Sequence, residues 1–157
     1  MYYIGLDIHK KNTQACVMDE SGKVIVNERF SSDIVAMNRF VDRLGTTEAR
    51  VVMEATGFYQ YLYEAIESRG YDVTLAHPLK LKALTIGRAK TDRNDAEMLA
   101  ELLRIDAVPS SYVPPKDVRA LIAKAEEVGV EPKILKDVIE VNEEQPLKLL
   151  ELLRTHV

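Results

Sequence analysis

The chain has 157 residues, 46% of them hydrophobic and 29% charged, and its 21 Lys and Arg against 25 Asp and Glu give a formal net charge of −4. One domain with a small appendage fits this length, and the composition excludes a disordered tail and a collagen-like or coiled-coil rod. No apolar run nears the ~20 residues that cross a bilayer, MYYIGLDIHK lacks the marks of a signal peptide, and Cys16 stands alone, excluding an intrachain disulfide and an all-cysteine zinc site. A cytoplasmic protein with no membrane partner is therefore expected. The net charge argues against a uniformly basic nucleic-acid binder, but its distribution is uneven.

Tyr2 to Ile8 reads as an apolar strand. Gln14 to Met18 and Lys23 to Phe30 are β-branched and alternating, and Asp19-Glu20-Ser21-Gly22 between them reads as a hairpin turn. Three antiparallel strands are thus expected first. Ser32 looks like a helix N-cap, with Ile34, Met37, Phe40, Val41 and Leu44 at helical spacing and Gly45 as the stop. Arg50 to Glu54 is a short buried strand, Ala55-Thr56-Gly57 a turn, and Phe58 to Ser68 a helix stopping near Gly70. Tyr71 to Ala76 is a fifth strand, broken by His77-Pro78, and a basic segment follows. Asn94 to Arg104 has helical periodicity.

Val108 to Pro115 reads as extended. Three short helical patterns follow, carried by Val118, Leu121, Ile122 and Ala125, then Ile134, Leu135, Val138 and Ile139, then Leu147, Leu149, Leu150 and Leu153. The order βββαβαβα followed by helices indicates an α/β core, residues 1–115, with a helical extension, residues 116–157.

Asp7 ends an otherwise apolar run, where a charge is expensive to bury without a partner or a metal. Glu54 has the same setting at the end of VVME. Asp92 and Asp95, three residues apart at a helix start, share one helix face. If the first and fourth strands are neighbours, Asp7 and Glu54 share one end of the sheet, and the helix bearing Asp92 and Asp95 can cross it. Four converging carboxylates repel one another unless cations are present, and hard oxygen donors select Mg²⁺ or Mn²⁺. Such ions activate a nucleophile and stabilise a leaving oxygen in phosphodiester chemistry. Lys80, Lys82, Arg88, Lys90 and Arg93, opposed by one acidic residue between Pro78 and Arg93, suit a DNA phosphate backbone.

Simpler readings stand beside these. Each carboxylate taken singly reads as a surface or capping residue, Asp92 as an N-cap and Asp95 as a first-turn dipole partner. The basic stretch also reads as a solvated face. His9 and Lys10 follow Asp7 and read as surface residues or as neighbours of the site. Tyr59, Tyr61 and Tyr63 at helical spacing read as straddling core and surface or as stacking on bases. Cys16 reads as a small buried hydrophobe.

IGLDIHKKNTQACVMDESGKV, VVMEATGFYQYLYEAI and KTDRNDAEMLAELL resemble the N-terminal domain of the DEDD transposases, the insertion-sequence enzymes that include the pilin-gene-inverting recombinase Piv. The resemblance covers Met1 to about Lys116, and its most specific parts are MEATG and KTDRNDA. The family's acidic tetrad falls on Asp7, Glu54, Asp92 and Asp95. The resemblance implies a RuvC-like fold of the ribonuclease H superfamily, with three antiparallel strands and then two parallel ones. It also implies a divalent-metal site, Mg²⁺ or Mn²⁺, used catalytically on DNA in transposition or site-specific recombination. A homodimer or higher homo-oligomer and, for some members, a structured guide RNA are further implications. Family members run to about twice this length and carry a second domain with a nucleophilic serine, which nothing here matches. From Lys116 onward nine acidic and seven basic residues make a tail unsuited to gripping phosphates. A second functional reading follows from this, a catalytically inactive remnant that binds DNA or protein. A kinase-like ATPase, suggested by GLDIHK alone, lacks the further Gly-rich loop it requires.

Overall fold

Apolar residues run almost unbroken along the first strand and prepare it to be covered on both faces. In the computed structural model, which describes residues 1–54, 60–84 and 91–138, that strand is β1 (Tyr2–Ile8). It is followed by β2 (Asn12–Met18), β3 (Val24–Ser31), α1 (Ile34–Leu44), β4 (Ala49–Glu54), α2 (Gln60–Glu67), β5 (Asp72–Ala76), α3 (Pro78–Leu84), α4 (Asp92–Arg104) and α5 (Lys116–Glu127). The five strands form one sheet in the order β3-β2-β1-β4-β5. The first three pair antiparallel, whereas β1–β4 and β4–β5 pair parallel. This is the expected mixed sheet with its antiparallel strands first, and it puts β1 at the centre.

The hairpin turn closes where expected. Asp19 Oδ1 accepts from the Ser21 amide at 2.9 Å and the Lys23 amide at 3.0 Å, an Asx-type turn. α1 is capped by Asp33, not Ser32: the Asp33 carboxylate accepts from the Ala36 amide at 2.8 Å. Ser32 is instead buried and hydrogen-bonded to Thr13 at 2.8 Å. Phe40 on α1 stacks on Phe30 of β3, ring centroids 5.1 Å apart, which fixes that helix to one face of the sheet.

The opposite face is covered by α4. Its buried stripe, Ala96, Leu99, Ala100 and Leu103, lies over β1, β2 and β4. Gly5 makes the close approach possible, since a Cβ there would stand 2.2 Å from the Ala96 carbonyl oxygen and 2.5 Å from the Ala100 nitrogen. Beside it, Cys16 is fully buried with Met18, Ala96 and Ala100. Burial and the nearby Glu97 charge push its thiol up to about 12, against a smaller opposing pull from Arg93. Alkylation with iodoacetamide at pH 8 should therefore leave Cys16 unmodified in the native protein and label it fully in denaturant, because the thiolate is the reactive form.

The basic segment after Pro78 forms helix α3, which periodicity alone did not indicate. Pro78 suits its first position, where an amide would lack a helical partner. Part of the stretch read as extended adds to the sheet: Ser110 pairs with Ala76, and the Ser111 amide donates to the Leu75 carbonyl at 2.8 Å. Met1–Ser111 and Tyr112–Val157 are separate compact units. In the second, α5 and helical residues 133–138 are tied by a Lys136–Glu126 ion pair of 2.7 Å. Ile139 and the third leucine-rich pattern lie outside the described residues, as do Thr56, Gly57 and Tyr59. No helix among the described residues is long and apolar enough to cross a membrane.

Candidate metal centre

Strand register sets the two acidic strand-end residues at neighbouring backbone positions, although among the described residues only Asp7, and not Glu54, belongs to the close ligand group. Leu6 pairs with Met53 in the parallel β1–β4 ladder. Asp7 and Glu54 come next on the two chains, at the spacing of neighbouring strands, about 4.8 Å. Asp7 lies two residues past Gly5, and Glu54 two past Val52, which packs with Leu99 and Leu103 of α4. Side chains alternate along a strand, so both carboxylates belong to the α4 face.

The N-terminus of α4 meets them there. The helix begins at Asp92, two residues before the sequence periodicity suggested, because Thr91 is its N-cap and its hydroxyl accepts from the Asn94 amide at 3.2 Å. The capping reading of Asp92 is thereby displaced, and its carboxylate is available elsewhere. His9 Nε2 lies 3.0 Å from Asp7 Oδ2 and 3.4 Å from Asp92 Oδ1. Arg29 Nη1 lies 3.5 Å from Asp92 Oδ2. Asp7, His9 and Asp92 each offer one ligand atom, and these atoms all lie within 4.8 Å of one another.

The electrostatics match a crowded acidic site. The Asp7 side chain is only 10% exposed. Burial pushes its carboxyl above the ordinary range. His9 pulls it down, and the charges of Asp95 and Asp92 push it further up. Asp95, in the first turn of α4, is therefore near enough to act on Asp7. Replacing the cap, Thr91→Ala, should cost about 1 kcal/mol of stability in a urea titration, since the Asn94 amide loses its acceptor.

The basic residues are more dispersed. Lys80 and Lys82 sit on α3, half-buried and exposed respectively. Arg93 is exposed on α4 with its guanidinium 3.4 Å from Glu97. Arg88 and Lys90 lie outside the described residues. Tyr63 is buried in the core, whereas Tyr61 is exposed with its hydroxyl donating to the Ser32 carbonyl, so the pair divides between core and surface.

Residue chemistry alone did not single out Arg29. The hairpin register contains the signal: Asp7 pairs with Gln14, and Gln14 with Arg29, a cross-strand row on the α4 face. A polar chain runs beside that row. Gln14 donates to Asn27 at 2.5 Å, and Asn27 donates to Glu97 of α4 at 2.6 Å. These bonds tie the helix to the sheet next to the acidic cluster.

A mixed sheet of this strand order, with carboxylates at one end under a crossing helix, defines a ribonuclease H-like, RuvC-type fold. It is similar to that of Thermus thermophilus RuvC solved in complex with a Holliday junction substrate, with a TM-score of 0.50 and 11% identity over 70% of this chain and 99% of that one. Among sequences, it is 31% identical over 107 residues to the transposase for insertion sequence element IS1533 of Leptospira borgpetersenii, covering 65% of this chain and 30% of that protein. It is 32% identical over 123 residues to the transposase for IS1111A of Coxiella burnetii (strain RSA 493 / Nine Mile phase I), covering 76% and 32%. The model of the DEDD insertion-sequence family, described as Transposase, matches residues 4–126. The chain belongs to that DEDD transposase family, and its match spans about a third of the length of these curated relatives.

Proposed function

We propose that this chain is the metal-dependent DNA-processing domain of an insertion-sequence transposase, with Asp7, Glu54, Asp92 and Asp95 as the catalytic carboxylates that hold Mg²⁺ or Mn²⁺. The carrying observation is Asp7, nine-tenths buried, with His9 and Asp92 at ligating separations and the Asp95 charge acting on it. Such a donor set fits a hard divalent cation, because oxygen-rich sites select such ions and a cation offsets the mutual repulsion. The cation, when bound, supplies activation of a nucleophile and stabilisation of a leaving oxygen at a phosphodiester.

The residues of the chain do the rest. Asp7 and Glu54 are presented by adjacent strand ends, and Asp92 and Asp95 by the first turn of α4, so the four are set by rigid elements. Lys80, Lys82, Arg88, Lys90 and Arg93 supply positive charge for the phosphate backbone, and DNA affinity should fall as salt rises. Family membership and a fold neighbour bound to a Holliday junction support DNA as the partner in transposition and recombination. A homo-oligomer and a structured guide RNA are parts of the same reading.

Crystals soaked in Mn²⁺ should show metal bonded at about 2.0–2.6 Å to Asp7, Glu54 and at least one of Asp92 and Asp95. Mn²⁺ at 100 times its Kd should also stabilise the fold by about 2.7 kcal/mol. Failure of both would end the metal-centre reading. A second reading is a binding module without catalysis. It predicts DNA binding with no metal-dependent cleavage of branched DNA.

A further inference from the structure

We infer that His9 is itself a ligand of the cation, so that the centre carries one nitrogen donor among its carboxylates and prefers Mn²⁺ to Mg²⁺. This rests on the metal-centre reading and adds a donor that the acidic tetrad does not contain. The geometry is direct. His9 Nε2 sits between two carboxylates from different elements, 3.0 Å from Asp7 on β1 and 3.4 Å from Asp92 on α4. Any ion held by both of those oxygens lies beside that nitrogen, since all three donor atoms are within 4.8 Å of one another.

The backbone keeps the imidazole there. His9 follows directly on β1, and its amide donates to the Asn12 carbonyl at 3.0 Å, closing the tight β1–β2 connection. The residue is thus held one step past the strand, with its ring turned back to Asp7. Its side chain is 53% exposed, so it reaches the cluster from the solvent side, whereas Asp7 approaches from within the fold. Coordination uses the Nε2 lone pair, and the hydrogen bond to Asp7 then gives way to two bonds to one ion. Imidazole nitrogen favours transition ions, whereas Mg²⁺ keeps an oxygen shell.

The test is electron spin echo envelope modulation of Mn²⁺ bound to the full chain, with affinity measured in parallel by calorimetry. A directly bonded imidazole imposes nitrogen modulation on the echo. Wild-type protein should show it and His9→Ala should lose it, with Mn²⁺ affinity falling about 10- to 100-fold and Mg²⁺ affinity changing little. His77→Ala and His156→Ala should each retain the modulation, which assigns the signal to His9 among the three histidines. Mn²⁺ uptake by wild type with no nitrogen modulation overturns the His9 assignment and leaves the carboxylate centre standing. No Mn²⁺ uptake overturns both. Nitrogen modulation that persists in His9→Ala likewise overturns the His9 assignment, whereas its absence from wild type does so without recourse to a variant.

Discussion

Asp7→Asn should abolish metal-dependent cleavage of branched DNA, a loss of at least about a thousandfold, while making the metal-free protein more stable at neutral pH. The two effects have one cause. Asp7 is a charge placed where burial disfavours it, and Asp95 and Asp92 add to the strain. Its carboxyl titrates above the ordinary value of 3.8. The unfolded chain ionises first as pH rises, so it binds fewer protons than the folded chain between the two values. Metal-free stability is therefore highest below that range and falls as pH climbs through it. The amide has no such fall, and it still accepts from His9. Thermal melts of the two proteins without metal should diverge in the variant's favour on the neutral side. Adding Mn²⁺ should reverse the order. A variant that melts below wild type without metal would show Asp7 to be a structural ion-pair partner instead.

Gly5→Ala should be the most damaging alanine substitution among the described glycines. The new Cβ would meet the Ala96 carbonyl at 2.2 Å, the Ala100 nitrogen at 2.5 Å and the Leu99 Cβ at 2.9 Å. Two of these are backbone atoms, which have no rotamer to escape into, so α4 must lift from the sheet. The cost should be roughly 3 kcal/mol or more, at the upper end for overpacked cores. The lift also carries Asp92 and Asp95 away from Asp7, so Mn²⁺ affinity should collapse with stability. Gly45→Ala is the informative control. Its Cβ meets nothing within 4 Å, but its φ is +63°. That change should cost only about 1–2 kcal/mol of backbone strain and leave Mn²⁺ binding intact.

Much of this fold is legible in residue order because its local signals agree. Asp19 to Gly22 marks the hairpin, Gly45 the end of α1, and an apolar period of 3.6 the body of α4. The pairing of β1 with β4 is less local, yet it follows from alternating strands and helices, and it places Asp7 beside Glu54. What was not legible depends on atoms that sequence distance hides. Ser32 and Asp33 are both good N-caps, and Thr13 decides between them by taking the Ser32 hydroxyl. Thr91 advanced the start of α4 because a cap outweighs a weak apolar pattern in a first turn. His9 read as readily as a surface residue, because its proximity to Asp92 exists only after α4 has docked. Arg29 needed the register of two successive hairpin pairings before it could be placed at all.

The close seat of α4 on Gly5 also sets an order of events during synthesis. β1 is the first element made, and α4 is the last helix of the Met1–Ser111 unit. The Asn27–Glu97 bond that helps fasten α4 to β3 of the same sheet spans 70 residues of chain. Contacts of such separation form late, since loop closure precedes any gain from them. A nascent chain on the ribosome thus carries Asp7 from the outset but no complete cluster until α4 has emerged and closed over the sheet. The proposed metal centre is therefore assembled only with the completed domain.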